Sequence, residues 1–207
     1  MIELNSRQIA ENILSELGHE PTSGQSDLIV KLADFVARKP EAKQQPAFLI
    51  KGYAGTGKTT LVNALLAEIA TSNERVVILE DTRELNCAAE DCVKLRTKPG
   101  VVSLSDLVRS TLRLRPDRIV VGEVRGAEAL DMLKAWNTGH PGGLTTVHAN
   151  SARGALYRLE QLVQEAVVTV PRRLIAEALD ILVFIDGRGS ARRVTEVVKV
   201  EGLDADG

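Results

Sequence analysis

The sequence predicts an α/β fold: a mainly parallel sheet covered by helices on both faces. Three observations predict it. Short, continuous apolar runs alternate with segments of helical periodicity through most of the chain, the pattern of strands buried on both sides. A glycine-rich stretch, Gly52-Tyr53-Ala54-Gly55-Thr56-Gly57-Lys58-Thr59, stands between one such run and one such helix, the context in which G-x-x-x-x-G-K-[ST] cradles phosphates. Polar clusters recur directly after the predicted strands, where open parallel sheets bind their ligands.

Taken in order, residues 7–17 place Ile9, Ile13, Leu14 and Leu17 on one helical face, and Gly18 ends the run. Thr22 or Ser23 can cap a second helix bearing Leu28, Ile29, Leu32, Phe35 and Val36. A polar connector punctuated by Pro40 and Pro46 follows. Residues 1–46 are thus read as a short helical N-terminal extension and 47–207 as the α/β domain. Ala47 to Ile50 is a short strand leading into the glycine-rich loop, and Thr60 to Ala70 is the helix after it. Arg75 to Leu79 is a strand ending at Glu80-Asp81, and Val93 to Thr97 a further short strand. Ser103 caps a helix with Leu104, Leu107, Val108 and Leu112. Ile119 to Val121 is a buried strand ending at Gly122-Glu123, residues 126–137 are helical, and Leu144 to Val147 is a strand reaching His148. Residues 151–166 form a helix, and Pro171 opens another that runs to Asp180. Ile181 to Ile185 is buried, and Arg192 to Val200 pairs with it through the turn at 186–189.

A chain of 207 residues with 44% apolar content suits one domain, or one with an appendage. A net charge of −2 and a pI near 6.0 supply no basic field for nucleic acid or acidic membranes. Aromatics at 3% are too few for a platform that stacks single strands. No apolar run approaches the roughly 18 residues of a membrane span, and the N-terminus lacks the pattern of a signal peptide. Cys87 and Cys92 have no second ligand pair and read as reduced thiols, which makes the expected location cytoplasmic.

The loop residues suit phosphate chemistry. Glycines let backbone N–H groups turn inward on phosphate oxygens, and the following helix offers its positive N-terminus. Lys58 should reach the β- and γ-phosphates of a nucleotide, and the Thr59 hydroxyl should bind Mg²⁺. Glu123 lies opposite the loop, where a carboxylate orients or deprotonates water or acts on the metal. Many phosphate-loop enzymes carry Asp at the preceding position, which here is Gly122, so Glu80 or Asp81 from the neighbouring strand end can share those duties. The cluster Glu80-Asp81-Thr82-Arg83-Glu84 reads equally as a solvated turn or cap. His148 is a candidate at the cleft or a hydrogen-bonded strand-end residue. His140 is read as a turn residue, and residues 139–143 with Thr145 and Thr146 as a mobile loop facing the γ-phosphate. Arg113, Arg115 and Arg125 surround the Gly122-Glu123 strand; such arginines stabilise phosphoryl transfer, often from a neighbouring subunit, or form surface ion pairs.

These residues carry two resemblances. Residues 61 to about 203 resemble the C-terminal domain of the VirB11-type traffic ATPases, most closely the TrbB type of conjugative transfer. The resemblance rests on residues 79–84, 112–126 and 139–150, which look like the family's acidic box, Walker B region and histidine box. It implies a RecA-like P-loop NTPase fold, ATP or ADP with Mg²⁺ as cofactors, ATP hydrolysis, a homohexameric ring and a peripheral place at the inner membrane with secretion machinery. It further implies a catalytic Glu123, Glu80 near metal or water, and His148 sensing the γ-phosphate. Residues 18–25 and 48–60 instead resemble the start of superfamily 1 helicases of the RecD/Pif1/Dda kind, in which a Gln at the position of Gln25 reads the adenine edge; Gln25 is otherwise an ordinary first-turn residue. The family's larger domain ahead of the loop has no counterpart in the roughly fifty residues before Gly52. The chain therefore reads as a hybrid with its seam within or just after the loop. The alternatives are a helicase-like DNA-dependent ATPase and a nucleotide-binding module without a native role.

Overall fold

Apolar runs too short for helices assemble into one seven-stranded sheet in the computed structural model, which describes residues 7, 10, 11, 30, 33, 47–53, 55–140, 142–187 and 189–203. The strands are β1 (Phe48–Gly52), β2 (Val76–Glu80), β3 (Cys92–Arg96), β4 (Arg118–Val121), β5 (Leu144–Val147), β6 (Ile181–Asp186) and β7 (Arg193–Lys199). Their order is β3-β2-β4-β5-β1-β6-β7, and every pairing is parallel except β6 with β7. The antiparallel β7 follows from its short connection, since a parallel neighbour would need a long crossover. The helical readings over 7–17 and 22–36, and Gln25, lie almost wholly outside the described residues.

The helices are α1 (Lys58–Ile69), α2 (Leu104–Thr111), α3 (Glu128–Asn137), α4 (Ala152–Gln164) and α5 (Arg172–Ala178). Among the described residues, α1 covers one face of the sheet, packing Val62, Leu65, Leu66 and Ile69 on Phe48, Ile50, Ile78 and Val120. Helices α2–α5 cover the other, with Leu107, Met132, Trp136 and Leu159 on Leu49, Leu79, Val121 and Val147. Burial on both faces explains why these strands are continuously apolar. Ser103 caps α2 as the spacing predicts, in a reciprocal box with Asp106. Leu112 departs from the expectation: it begins a 3₁₀ turn and is exposed, because the chain tightens there before turning into β4.

Parallel pairing gives the sheet two unlike rims. The described residues of the loop at 52–60, with Glu80, Glu123 and His148, lie at or just after the C-terminal ends of strands and share one rim. The N-terminal rim is closed by internal contacts. Arg118 is buried against Glu74 and the Gly142 carbonyl. The Arg75 amide donates to Asp117 at 2.7 Å, and Ala47 donates to Asp180 at 2.7 Å. His140, Gly142 and Gly143, from the stretch read in the sequence as a loop facing the γ-phosphate, belong to this closed rim. His140 Nδ1 lies 3.0 Å from the Pro116 carbonyl, and the Gly143 carbonyl accepts from Phe48 at the start of β1. A Cβ at Gly143 would overlap the Trp136 indole, so Gly143 makes room for a core side chain. Thr145 and Thr146 are buried inside β5.

Candidate functional site

The loop between β1 and α1 owes its shape to two close constraints. A Cβ on Gly52 would meet Thr56 and stand 2.5 Å from the Ile185 carbonyl of β6. Gly57 adopts φ 89° as the N-cap of α1, a left-handed conformation that side chains resist. Between them, the buried Thr56 hydroxyl donates to the Tyr53 carbonyl at 2.9 Å. Tyr53 itself is exposed. Ala54 lies outside the described residues. Gly55, Gly57, Lys58, Thr59 and Thr60 line a cleft of about 420 Å³, within the size range of small-molecule sites.

Lys58 spans the mouth of the loop. Its ammonium donates to the carbonyls of Gly52 at 2.8 Å and Tyr53 at 3.2 Å, and lies 3.5 Å from His148 Nδ1. Burial lowers its pKa below the ordinary lysine range, while Glu123 and Glu84 pull it back up. The other ring nitrogen of His148 stands 2.7 Å from Glu123 Oε1, close but without the alignment of a hydrogen bond. Glu123 Oε2 accepts from Arg125 at 2.7 Å, which pushes the arginine's pKa further up. Lys58, His148, Glu123 and Arg125 thus form one contact chain across the cleft.

The backbone around Glu123 is fixed from both neighbouring strands. The Gly122 amide donates to Leu79 on β2, and its carbonyl accepts from the Thr146 hydroxyl on β5 at 2.7 Å. Gly122 also explains the absence of an acid at its position. A Cβ there would stand 3.1 Å from Glu80 Cγ, so the space of that side chain is taken by Glu80 from the next strand. Glu80 is buried, and its Oε1 accepts from the amides of Glu84 and Leu85, both at 2.9 Å. This closes the acidic turn and carries Glu84 to the Thr59 hydroxyl, which donates to Glu84 Oε2 at 3.1 Å. Asp81 also lines the cleft and accepts from the Thr97 hydroxyl at 2.8 Å.

The cleft therefore gathers the loop, Glu80, Glu84, Glu123, Arg125, Thr146 and His148, all of which the sequence marks, and adds Arg192, which it marks only as the start of a strand. Glu84 stood in the acidic cluster without a signal to set it apart. Arg192 lies about 130 residues from the loop, and only strand pairing brings it near. Arg113 and Arg115 fall elsewhere. They are exposed beside the N-terminal end of β4, so the parallel sheet puts them at the rim opposite the cleft and neither serves the cleft of its own chain.

Residues 33–186 match the family model described as type II/IV secretion system protein. Over 187 residues the chain is 49% identical to conjugal transfer protein TrbB of Rhizobium radiobacter, covering 84% of this chain and 58% of that protein. The VirB11 ATPase of the Brucella suis type IV secretion system, solved with sulphate, has a TM-score of 0.74 at 29% identity, covering 96% of this chain and 57% of that one. The pilus retraction motor PilT, solved with bound ADP, has a TM-score of 0.64 at 25% identity, over 85% and 51% of the two chains. The chain spans about half the length of the relatives it matches. The family match begins ahead of β1, so the strand and loop at 48–60, which by sequence resemble the start of the helicases, fall inside the secretion-family match.

Proposed function

The chain belongs to the type II/IV secretion system protein family, and on that premise we propose that it binds ATP at residues 52–60 and hydrolyses it to drive secretion or conjugative transfer. The observation that carries this reading is the convergence of Lys58, His148 and Glu123 on one cleft at the C-terminal rim. The loop amides and the start of α1 hold the phosphates, and Lys58 supplies the cation that leans on the terminal ones. Glu123 orients the attacking water and accepts its proton. His148, in contact with both Lys58 and Glu123, couples the phosphate-facing cation to that carboxylate. Arg125 holds the second Glu123 oxygen and sets its direction.

Magnesium fits the donors present. Among the described residues no cluster of three or more His, Cys, Asp or Glu forms a metal cage; the Thr59 hydroxyl and the nucleotide's own phosphates would hold Mg²⁺ directly, with Glu80, Glu84 and Glu123 acting through its waters. Bound there, it would neutralise charge on the phosphates. Residues 47–207 act as the nucleotide-binding unit. Among the described residues no helix is long and apolar enough to cross a membrane. A peripheral place at the cytoplasmic face of the inner membrane and a homohexameric ring are the setting that the family resemblance implies. In such a ring Arg113 and Arg115 would act on a neighbouring subunit. No observation in the site favours a helicase-like, DNA-dependent ATPase.

The test is equilibrium binding of ATP to the Lys58→Ala variant. Loss of the buried ammonium should weaken ATP by about 100-fold, the scale of one charge-assisted contact to phosphate. Unchanged affinity would place the nucleotide elsewhere.

A further inference from the structure

The mouth of the cleft is flanked on its second side by the β6–β7 turn. β1 pairs with β6 in parallel register, Gly52 opposite Ile185. The turn after β6 therefore stands next to the loop after β1, and the chain returns through Arg192 just before β7. The Arg192 side chain lies against Gly57, at the N-terminus of α1. A Cβ on Gly57 would stand 3.4 Å from Arg192 Cδ and 3.6 Å from Nη1. Arg192 lines the same cleft as Lys58 and Glu123.

Among the described residues two arginines line that cleft, and they differ. Arg125 is committed to Glu123. Arg192 has no ion pair and no side-chain hydrogen bond among the described residues, and its head is exposed. An unpaired guanidinium beside a phosphate-binding helix start has five donors in a fork that matches phosphate oxygens. Position decides which phosphates. Glu123 and His148 approach from β4 and β5 on one side of β1, where the terminal phosphate must meet water. Arg192 approaches from β6 and β7 on the other side, over the first turn of α1. It is thus placed for the phosphates nearer the nucleoside, which ATP and ADP share.

We propose that Arg192 is a phosphate-binding residue of the cleft, contacting the α- or β-phosphate of a nucleoside di- or triphosphate from the β6–β7 side. The proposal rests on the nucleotide reading above and adds to it a ligand from outside the glycine-rich loop. It separates two functions across β1: Arg192 serves affinity for either nucleotide, and Glu123 with His148 serves turnover.

The experiment is calorimetric titration of ATP and ADP into the wild type and the variants Arg192→Ala, Arg192→Lys, Arg193→Ala and Lys58→Ala. Arg192→Ala should weaken ATP and ADP by the same factor, about 10-fold, less than for the buried Lys58 because the Arg192 head is exposed and solvent screens its contact. Arg192→Lys should recover part of that loss, and Arg193→Ala, one residue on and outside the cleft lining, should bind as the wild type does. Unchanged affinity in Arg192→Ala, a loss confined to ATP, or an equal loss in Arg193→Ala would overturn the assignment. If Lys58→Ala also leaves affinity intact, the phosphate site itself is misplaced and Arg192 falls with it; a loss in Lys58→Ala alone refutes only Arg192.

Discussion

At the N-terminal rim of the sheet, Arg118 is buried between Glu74 and a backbone carbonyl, Asp117 holds the Arg75 amide, and His140 closes on Pro116. At the C-terminal rim, Lys58, His148 and Glu123 touch one another across a cleft of about 420 Å³. Both rims carry acids, arginines and a histidine. At the first, Arg118, Asp117 and His140 each meet a partner fixed by the fold, so removing one costs stability. At the second, the groups face a shared space, and several rest on contacts that a phosphate could replace. The same residue types are thus locked into the fold at one rim and left facing a cleft at the other, and strand direction sorts them.

The largest test of this contrast is Glu123→Gln. It should leave ATP affinity near that of the wild type and lower single-turnover hydrolysis about 100-fold or more, the scale of a lost general base. Equal turnover would return Glu123 to the class of solvated strand-end carboxylates. At the other rim, Gly143→Ala sets a Cβ into the Trp136 ring. It should cost about 3 kcal/mol in urea unfolding, whereas a functional hinge at 139–143 would lower turnover and leave stability unchanged.

The smallest expected effect concerns Lys51, which belongs to neither class. It is wholly buried under the cleft on β1, 4.6 Å from the Phe184 ring centroid and 3.8 Å from Glu196. Its ammonium has no hydrogen-bond partner among the described residues. Burial draws its pKa from 10.5 down to about 8, with Glu196 opposing. Between those values the unfolded chain holds a proton that the folded chain lacks, so this group adds stability as pH rises from 8 to 10.5 and is at its most costly below 8. Lys51→Met should therefore stabilise the protein near neutral pH by about 1 kcal/mol, because Glu196 keeps its bond to the Ala152 amide. The advantage should shrink in the alkaline range. A destabilised variant would show instead that Lys51 and Glu196 earn their burial.

Much of this architecture was legible from local patterns. Between residues 47 and 203, apolar runs and helical periodicity located the strands and helices to within a few residues. Ser103 and Asp106 marked the start of α2, and the glycine-rich loop declared its chemistry because its residues are contiguous. Glu123 and His148 were readable because each ends a predicted strand. The acidic cluster was less so: nothing in 80–84 separates Glu80, which fastens the turn, from Glu84, which meets Thr59, or from Asp81, which faces Thr97.

The sequence by itself determined the element types, the phosphate loop and the family pattern, since these depend on residue identity over short spans. Only the tertiary structure decided which polar groups share a space. His140 and His148 are eight residues apart, yet β5 lies between them and sends them to opposite rims. Arg113 and Arg115 flank the Glu123 strand in sequence but stand at its far end. Arg192 reaches Gly57 because β1 and β6 are paired. Strand direction and register are set by burial of whole faces across the sheet, so no local stretch of sequence carries that information.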